Sequence, residues 1–188
     1  DLKFSYVMTA INSFLDFMGV ADVISVTESS MVVETGSKAE DFLRRSRIPG
    51  KTRGLIDTNS LYSLILSGAG RKRAWSGSER PYFITVVERD LRWRAARSSR
   101  IFGIGGIKGV IITVRDSAKM YGTDEEHIKT IMTHELGHMF APARCDSRTY
   151  KTTKTGTHCT NECLMNALDL PPIGFCGALL DRHINLQI

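Results

Sequence analysis

Residues 123–140 constrain this chain most. Thr123-Asp124-Glu125-Glu126 forms a capping box: the threonine hydroxyl takes up a backbone N–H of the first turn, and the glutamate three residues on reaches back to the cap. Ile128, Ile131, Met132, Leu136, Met139 and Phe140 then recur at helical spacing, which predicts a helix over 123–140 with one stripe buried in a core. A helix fixed in this way also fixes what its other faces carry. His134 and His138 are four residues apart, a rise of about 6 Å and slightly more than one turn, so both imidazoles leave the helix on one side and can reach a single cation. Glu135 lies between them, and Gly137 leaves room beside a metal. The string HELGH fits HExxH, in which two histidines bind zinc and the glutamate polarises the bound water and carries its proton.

The rest of the chain reads as α/β. Phe4, Val7, Met8, Ile11, Phe14, Leu15 and Met18 predict an amphipathic helix over 3–18, stopped by Gly19. Asp22–Thr27 and Met31–Thr35 are short β-branched runs, and 38–47 reads as a helix ending before Pro49-Gly50. A further helix begins with cap residues at Asp57 or Thr58 and ends near Gly68 and Gly70. PYFITVVERD from Pro81 is a strand, GVIITVRD from Gly109 is the clearest buried strand, and IFGIGG (101–106) between them is expected as an irregular edge. The 48 residues from Ala141 to Ile188 lack regular pattern. One catalytic domain over 1–188 is expected, with an upper subdomain (1–140) and a small irregular lower one (141–188), and a site in the groove between them.

Catalytic zinc takes three protein ligands and a water, so a third ligand must come from downstream. His158 is the candidate, reached through the polar segment 145–157. Cys145, Asp146 and the distant His183 compete with it, while His127, two turns before His134, is expected solvated near the entrance.

From His158 the chain reads HCTNECLMN. With HELGH upstream, this resembles the archaemetzincins, zinc metallopeptidases of the metzincin clan whose HExxHxxGxxHC motif is followed by a cysteine and a methionine in a CxM context. The matching residues are His134, Glu135, His138, His158, Cys159, Cys163 and Met165, and the likeness spans about Pro81 to Cys176. It implies a metzincin-like α+β fold: an N-terminal subdomain with a twisted mixed sheet, helices and the active-site helix, then a C-terminal subdomain whose Met-turn at Met165 underlies the zinc. Three departures stand out. Arg144 occupies the ungapped position of the third histidine and cannot ligate, since guanidinium stays protonated, so His158 arrives fourteen residues late. Three residues separate Cys159 from Cys163 where the family has four, and Leu179 replaces the second cysteine of a closing CxxC that begins at Cys176.

The chain has 4 cysteines, Cys145, Cys159, Cys163 and Cys176. Four thiolates would close a second, structural zinc site, with Cys145 taking the missing place; two disulfides or free thiols are the alternatives. The expected compartment is the cytoplasm, or outside the cell if the cysteines are paired. The first segment lacks a basic n-region and cleavage site, so it does not read as a signal peptide. No apolar run approaches the roughly 20 residues needed to span a bilayer. An apolar fraction of 42% and charged fraction of 24% exclude disorder, and Gly 16 with Pro 5 excludes collagen. The net charge of +5 arises partly from Arg71-Lys72-Arg73 and from Arg89, Arg92, Arg94, Arg97 and Arg100 around Trp93, which read as a solvated loop between strands in preference to a nucleic-acid face.

These residues predict a zinc-dependent peptidase, expected monomeric, acting on peptide or protein. His134, His138 and His158 would hold catalytic zinc, with Glu135 as general base and the peptide paired to an edge strand in 101–109. Two alternatives keep the motif: a DNA-associated basic metalloprotease acting on nucleic-acid-bound proteins, marked by salt-dependent DNA binding, and a non-catalytic zinc-stabilised binding module, marked by zinc without cleavage.

Overall fold

The computed structural model describes residues 2–21, 44–45, 55–71, 82–93, 100–106, 109–115, 123–140, 150–153 and 156–159. The strands expected at 22–35, nearly all of the 38–47 helix, and Cys145, Asp146, Cys163, Met165, Cys176 and His183 lie outside them. Helix α1 (Leu2–Phe17) closes with paired bonds, Val20 N–H to Leu15 C=O at 3.1 Å and Gly19 N–H to Asp16 C=O at 3.0 Å. Gly19 adopts φ 66°, the left-handed conformation that this C-terminal motif requires and that glycine adopts without steric cost.

Strand β1 (Ile56–Asp57) runs into α2 (Thr58–Arg71), which continues through Gly68 and Gly70 rather than ending there. Then come β2 (Phe83–Val87), β3 (Leu91–Arg92), β4 (Arg100–Ile101), β5 (Gly103–Gly106) and β6 (Gly109–Thr113). Helix α3 (Asp124–Phe140) and the hairpin β7 (Tyr150–Thr153) and β8 (Gly156–Cys159) follow. The architecture is mixed α+β, as the sequence predicts.

The central sheet has the order β2-β6-β5, with β6 parallel to β2 and antiparallel to β5. β6 is buried at all five positions, and its alternation divides the core. Val110, Ile112 and Val114 join α1 (Val7, Ile11, Phe14) and α3 (Ile128, Met132, Leu136) in one cluster. Ile111 faces the other way, onto Ile56, Leu61, Ile65, Val87 and Leu91. Two-sided burial explains why this strand reads as an uninterrupted apolar run. Each fully buried large side chain, Met132 and Leu136 among them, stabilises the fold by about 1.5–3 kcal/mol.

Three expectations are corrected. IFGIGG lies at an edge as expected but is regular: β5 ends the sheet order and pairs with β6 in the register Gly103↔Ile112 through Gly106↔Gly109. The arginine-rich stretch supplies two strands of a second sheet, β1-β3-β4, in which Leu91 pairs with Ile101 and Arg92 with Arg100. Residues 150–153 and 156–159 of the supposedly patternless tail pair as antiparallel strands, since the β-branched threonines at 152, 153 and 157 suit paired extended backbone.

Candidate metal centre

The capping box is built as its residues predict. Thr123 N–H donates to Glu126 Oε2 at 3.0 Å, and Glu126 N–H donates to Thr123 Oγ1 at 3.3 Å. The Thr123 backbone N–H, and after it the Thr123 hydroxyl, hold the Glu126 carboxyl below the usual carboxylate range. With its start pinned and its stripe of Ile128, Ile131, Met132, Leu136 and Met139 buried, α3 is fixed in rotation about its axis. His134 and His138 therefore project half-buried on one side.

β8 brings the third imidazole. His158, opposite Lys151 in the hairpin and only 7% exposed, sits with ring centroids 5.4 Å from His134 and 5.0 Å from His138. One potential ligand atom from each of the three histidines lies within 4.8 Å of the other two, and His134 Nε2 is 3.1 Å from His138 Nε2. A tetrahedral cation with bonds of 2.0–2.1 Å needs nitrogens about 3.3 Å apart, so this donor set fits zinc with small adjustments. Burial, reinforced by the neighbouring His134 and His158, pushes the His138 pKa down to about 3, which keeps its imidazole neutral and its lone pair free to coordinate.

Glu135 is 7% exposed beside the histidines. Burial by itself pushes its carboxyl up to about 8, opposed by a hydrogen bond donated by the Gly105 backbone N–H, and a cation among the three neighbouring imidazoles would favour the ionised form. The helix reaches this carboxylate's partner because β5 is glycine on the side facing α3. A Cβ on Gly103 would lie 2.6 Å from Glu135 Cγ and 2.7 Å from Oε1, and a Cβ on Gly105 would overlap the Glu135 carbonyl oxygen. Sequence reading missed these two glycines; the available signal was glycine recurring every second residue in an otherwise β-branched and aromatic run.

His127 is corrected as well. It is wholly buried, edge-on to Phe102 with centroids 5.1 Å apart and rings at 87°, since Phe102, the residue before β5, packs on the first turns of α3. Burial lowers its pKa to about 4, with Asp124 pulling weakly the other way. Between the ordinary value of about 6.5 and this folded value the unfolded chain takes up a proton that the folded chain refuses. Stability then falls as pH drops through that window and levels off below about 4, the loss being on the order of 3–4 kcal/mol at about 1.4 kcal/mol per unit. His127→Leu is expected to flatten this acid limb; thermal midpoints of both chains from pH 8 to 4 would check it, parallel curves counting against it.

His134, His138, His158 and Glu135 are thus brought together. Cys159 ends β8 in its backbone, and the other cysteines and Met165 lie outside the described residues. Among the described residues no helix is long and apolar enough to cross a membrane. No protein-family model and no curated protein matches the chain. Among solved structures the fold matches the crystal structure of a zinc-dependent peptidase from Methanocorpusculum labreanum (strain Z), with a TM-score of 0.53 and 14% identity over 95% of this chain and 93% of that one. At that identity the likeness is one of fold.

Proposed function

We propose that this chain is a zinc-dependent peptidase of archaemetzincin-like organisation. The observation that carries this reading is the meeting of three imidazoles from two separate elements, α3 and β8, around a point beside the carboxylate of Glu135. His134, His138 and His158 would hold the ion through neutral imidazoles. Zinc in such a three-histidine set supplies Lewis acidity and a water of lowered pKa. Glu135 takes a proton from the attacking water and returns it to the leaving amine, its carboxylate aimed by the Gly105 N–H. The fold likeness to a zinc-dependent peptidase supports the same reading.

The free edge of β5 gives the substrate a place. The bond from Thr113 N–H to Phe102 C=O sets the phase of the β5–β6 ladder, so Ile104 pairs inward while Gly103 and Gly105 turn their backbone groups to the open edge among the described residues. An extended peptide added there runs past Glu135. A structural second zinc on the thiolates of Cys145, Cys159, Cys163 and Cys176, or in its place two disulfides among them, and the Met-turn at Met165 belong to this proposal.

Native mass spectrometry of the unreduced chain tests the metal, and peptide cleavage tests the chemistry. At least one zinc per chain is expected, with cleavage abolished by a chelator and restored by zinc. Firmly bound zinc with no peptide cleaved would replace the enzyme by a zinc-stabilised module.

A further inference from the structure

Glycine inside a strand weakens it by roughly 0.5–1 kcal/mol relative to alanine, so two glycines on one face of a four-residue strand need a reason. Ile104, between them, packs into the cluster of Leu61, Val87 and Ile111. Gly103 and Gly105 face α3, and what they face differs. The three atoms nearest to an added Cβ at Gly103 all belong to the Glu135 side chain, Cγ at 2.6 Å, Oε1 at 2.7 Å and Cδ at 2.9 Å. At Gly105 it would meet the Glu135 backbone and His138 Cβ, the latter at 2.8 Å. Real Cβ atoms essentially never come within 3.0 Å of such neighbours, so alanine at Gly103 would force the Glu135 side chain to move, and alanine at Gly105 would press on the helix backbone itself. The missing side chains let the strand backbone approach until an edge N–H reaches the carboxylate.

We propose that Gly103 and Gly105 are positioning residues that set the carboxylate of Glu135: Gly103 by leaving the space that its side chain fills, Gly105 by seating the helix and donating its N–H. This rests on the peptidase reading only for the consequence to turnover; the contact itself stands apart from it. Gly103→Ala would displace the carboxylate while leaving the three histidines untouched, and Gly105→Ala would push on the helix that carries two of them. A misplacement on the order of 1 Å in a reacting group can cost about 100-fold.

A double-mutant cycle tests it. Gly103→Ala is expected to keep full zinc content, to lower kcat at least about tenfold with KM little changed, and to lower the thermal midpoint. In a Glu135→Ala background the same substitution should lower the midpoint far less, because the colliding side chain is gone. If Gly103→Ala alone fails to fold, the double variant Gly103→Ala/Glu135→Ala should fold and bind zinc, since it vacates the space. Equal stability losses in the two backgrounds, or failure of the double variant to fold, would overturn the proposal. A wild-type chain that cleaves nothing yet shows the stability coupling would remove the peptidase reading and leave the positioning contact in place.

Discussion

Replacing Glu135 by alanine is expected to leave zinc binding intact and to lower peptide hydrolysis by about 100- to 10,000-fold, the range of a general acid–base group. The two halves of that expectation have different origins. Metal retention follows from the ligand set: the cluster consists of His134, His138 and His158, and the carboxylate is not one of its members. Loss of turnover follows from the environment of the carboxylate. Glu135 is buried next to the histidines with the Gly105 N–H as its backbone donor, so no solvent base can take its place at the same distance. Truncation to alanine removes a buried polar group together with its apolar stem, and among the described residues Glu135 belongs to neither hydrophobic cluster, so the fold should survive. Zinc per chain by native mass spectrometry and cleavage of an unstructured protein substrate check both halves on one sample. Turnover within a few-fold of wild type would take Glu135 out of the mechanism, and loss of zinc would make it part of the metal's support.

What could be read from the residues alone divides along the line between local and non-local physics. The helix α3 is local: its capping box, its stripe and the one-turn spacing of His134 and His138 are all settled within 18 residues, and the structure builds each of them. The strand β6 was legible for a related reason, since burial on both faces leaves an apolar run with no alternation to decipher. β5 was not. Glycine in one dimension reads as a breaker, and only the packing of α3 across the sheet reveals that the strand needs a bare backbone at Gly103 and Gly105. His127 failed in the same way: it shares a helix face with the half-buried His134, and only the fold shows that Phe102, at the bend between β4 and β5, packs edge-on against it and buries it. His158 is the instructive middle case. Ligand chemistry and a missing third donor pointed to it across a polar segment that gave no sign of the hairpin that carries it.

His158→Ala is the variant with the most to say about how the centre is assembled, and it should weaken zinc binding by well over the 10- to 100-fold that loss of outer-shell support costs. His134 and His138 come as a pair, because one rigid helix sets both and their Nε2 atoms already lie 3.1 Å apart. The third imidazole comes from β8, a separate element, so its removal leaves a two-histidine face that solvent must complete. The effect should appear as metal lost to a competing chelator, with the helix and its core unaffected because His158 belongs to neither hydrophobic cluster. His127→Leu supplies the control: the same residue type is removed from the same neighbourhood, but from a site packed on Phe102, and zinc affinity should hold. Unchanged zinc affinity in His158→Ala would transfer the third position to Asp146 or Cys145. A loss equal to that of His138→Ala would place the hairpin histidine on the same footing as the helical pair, making the metal the link that holds β8 to α3.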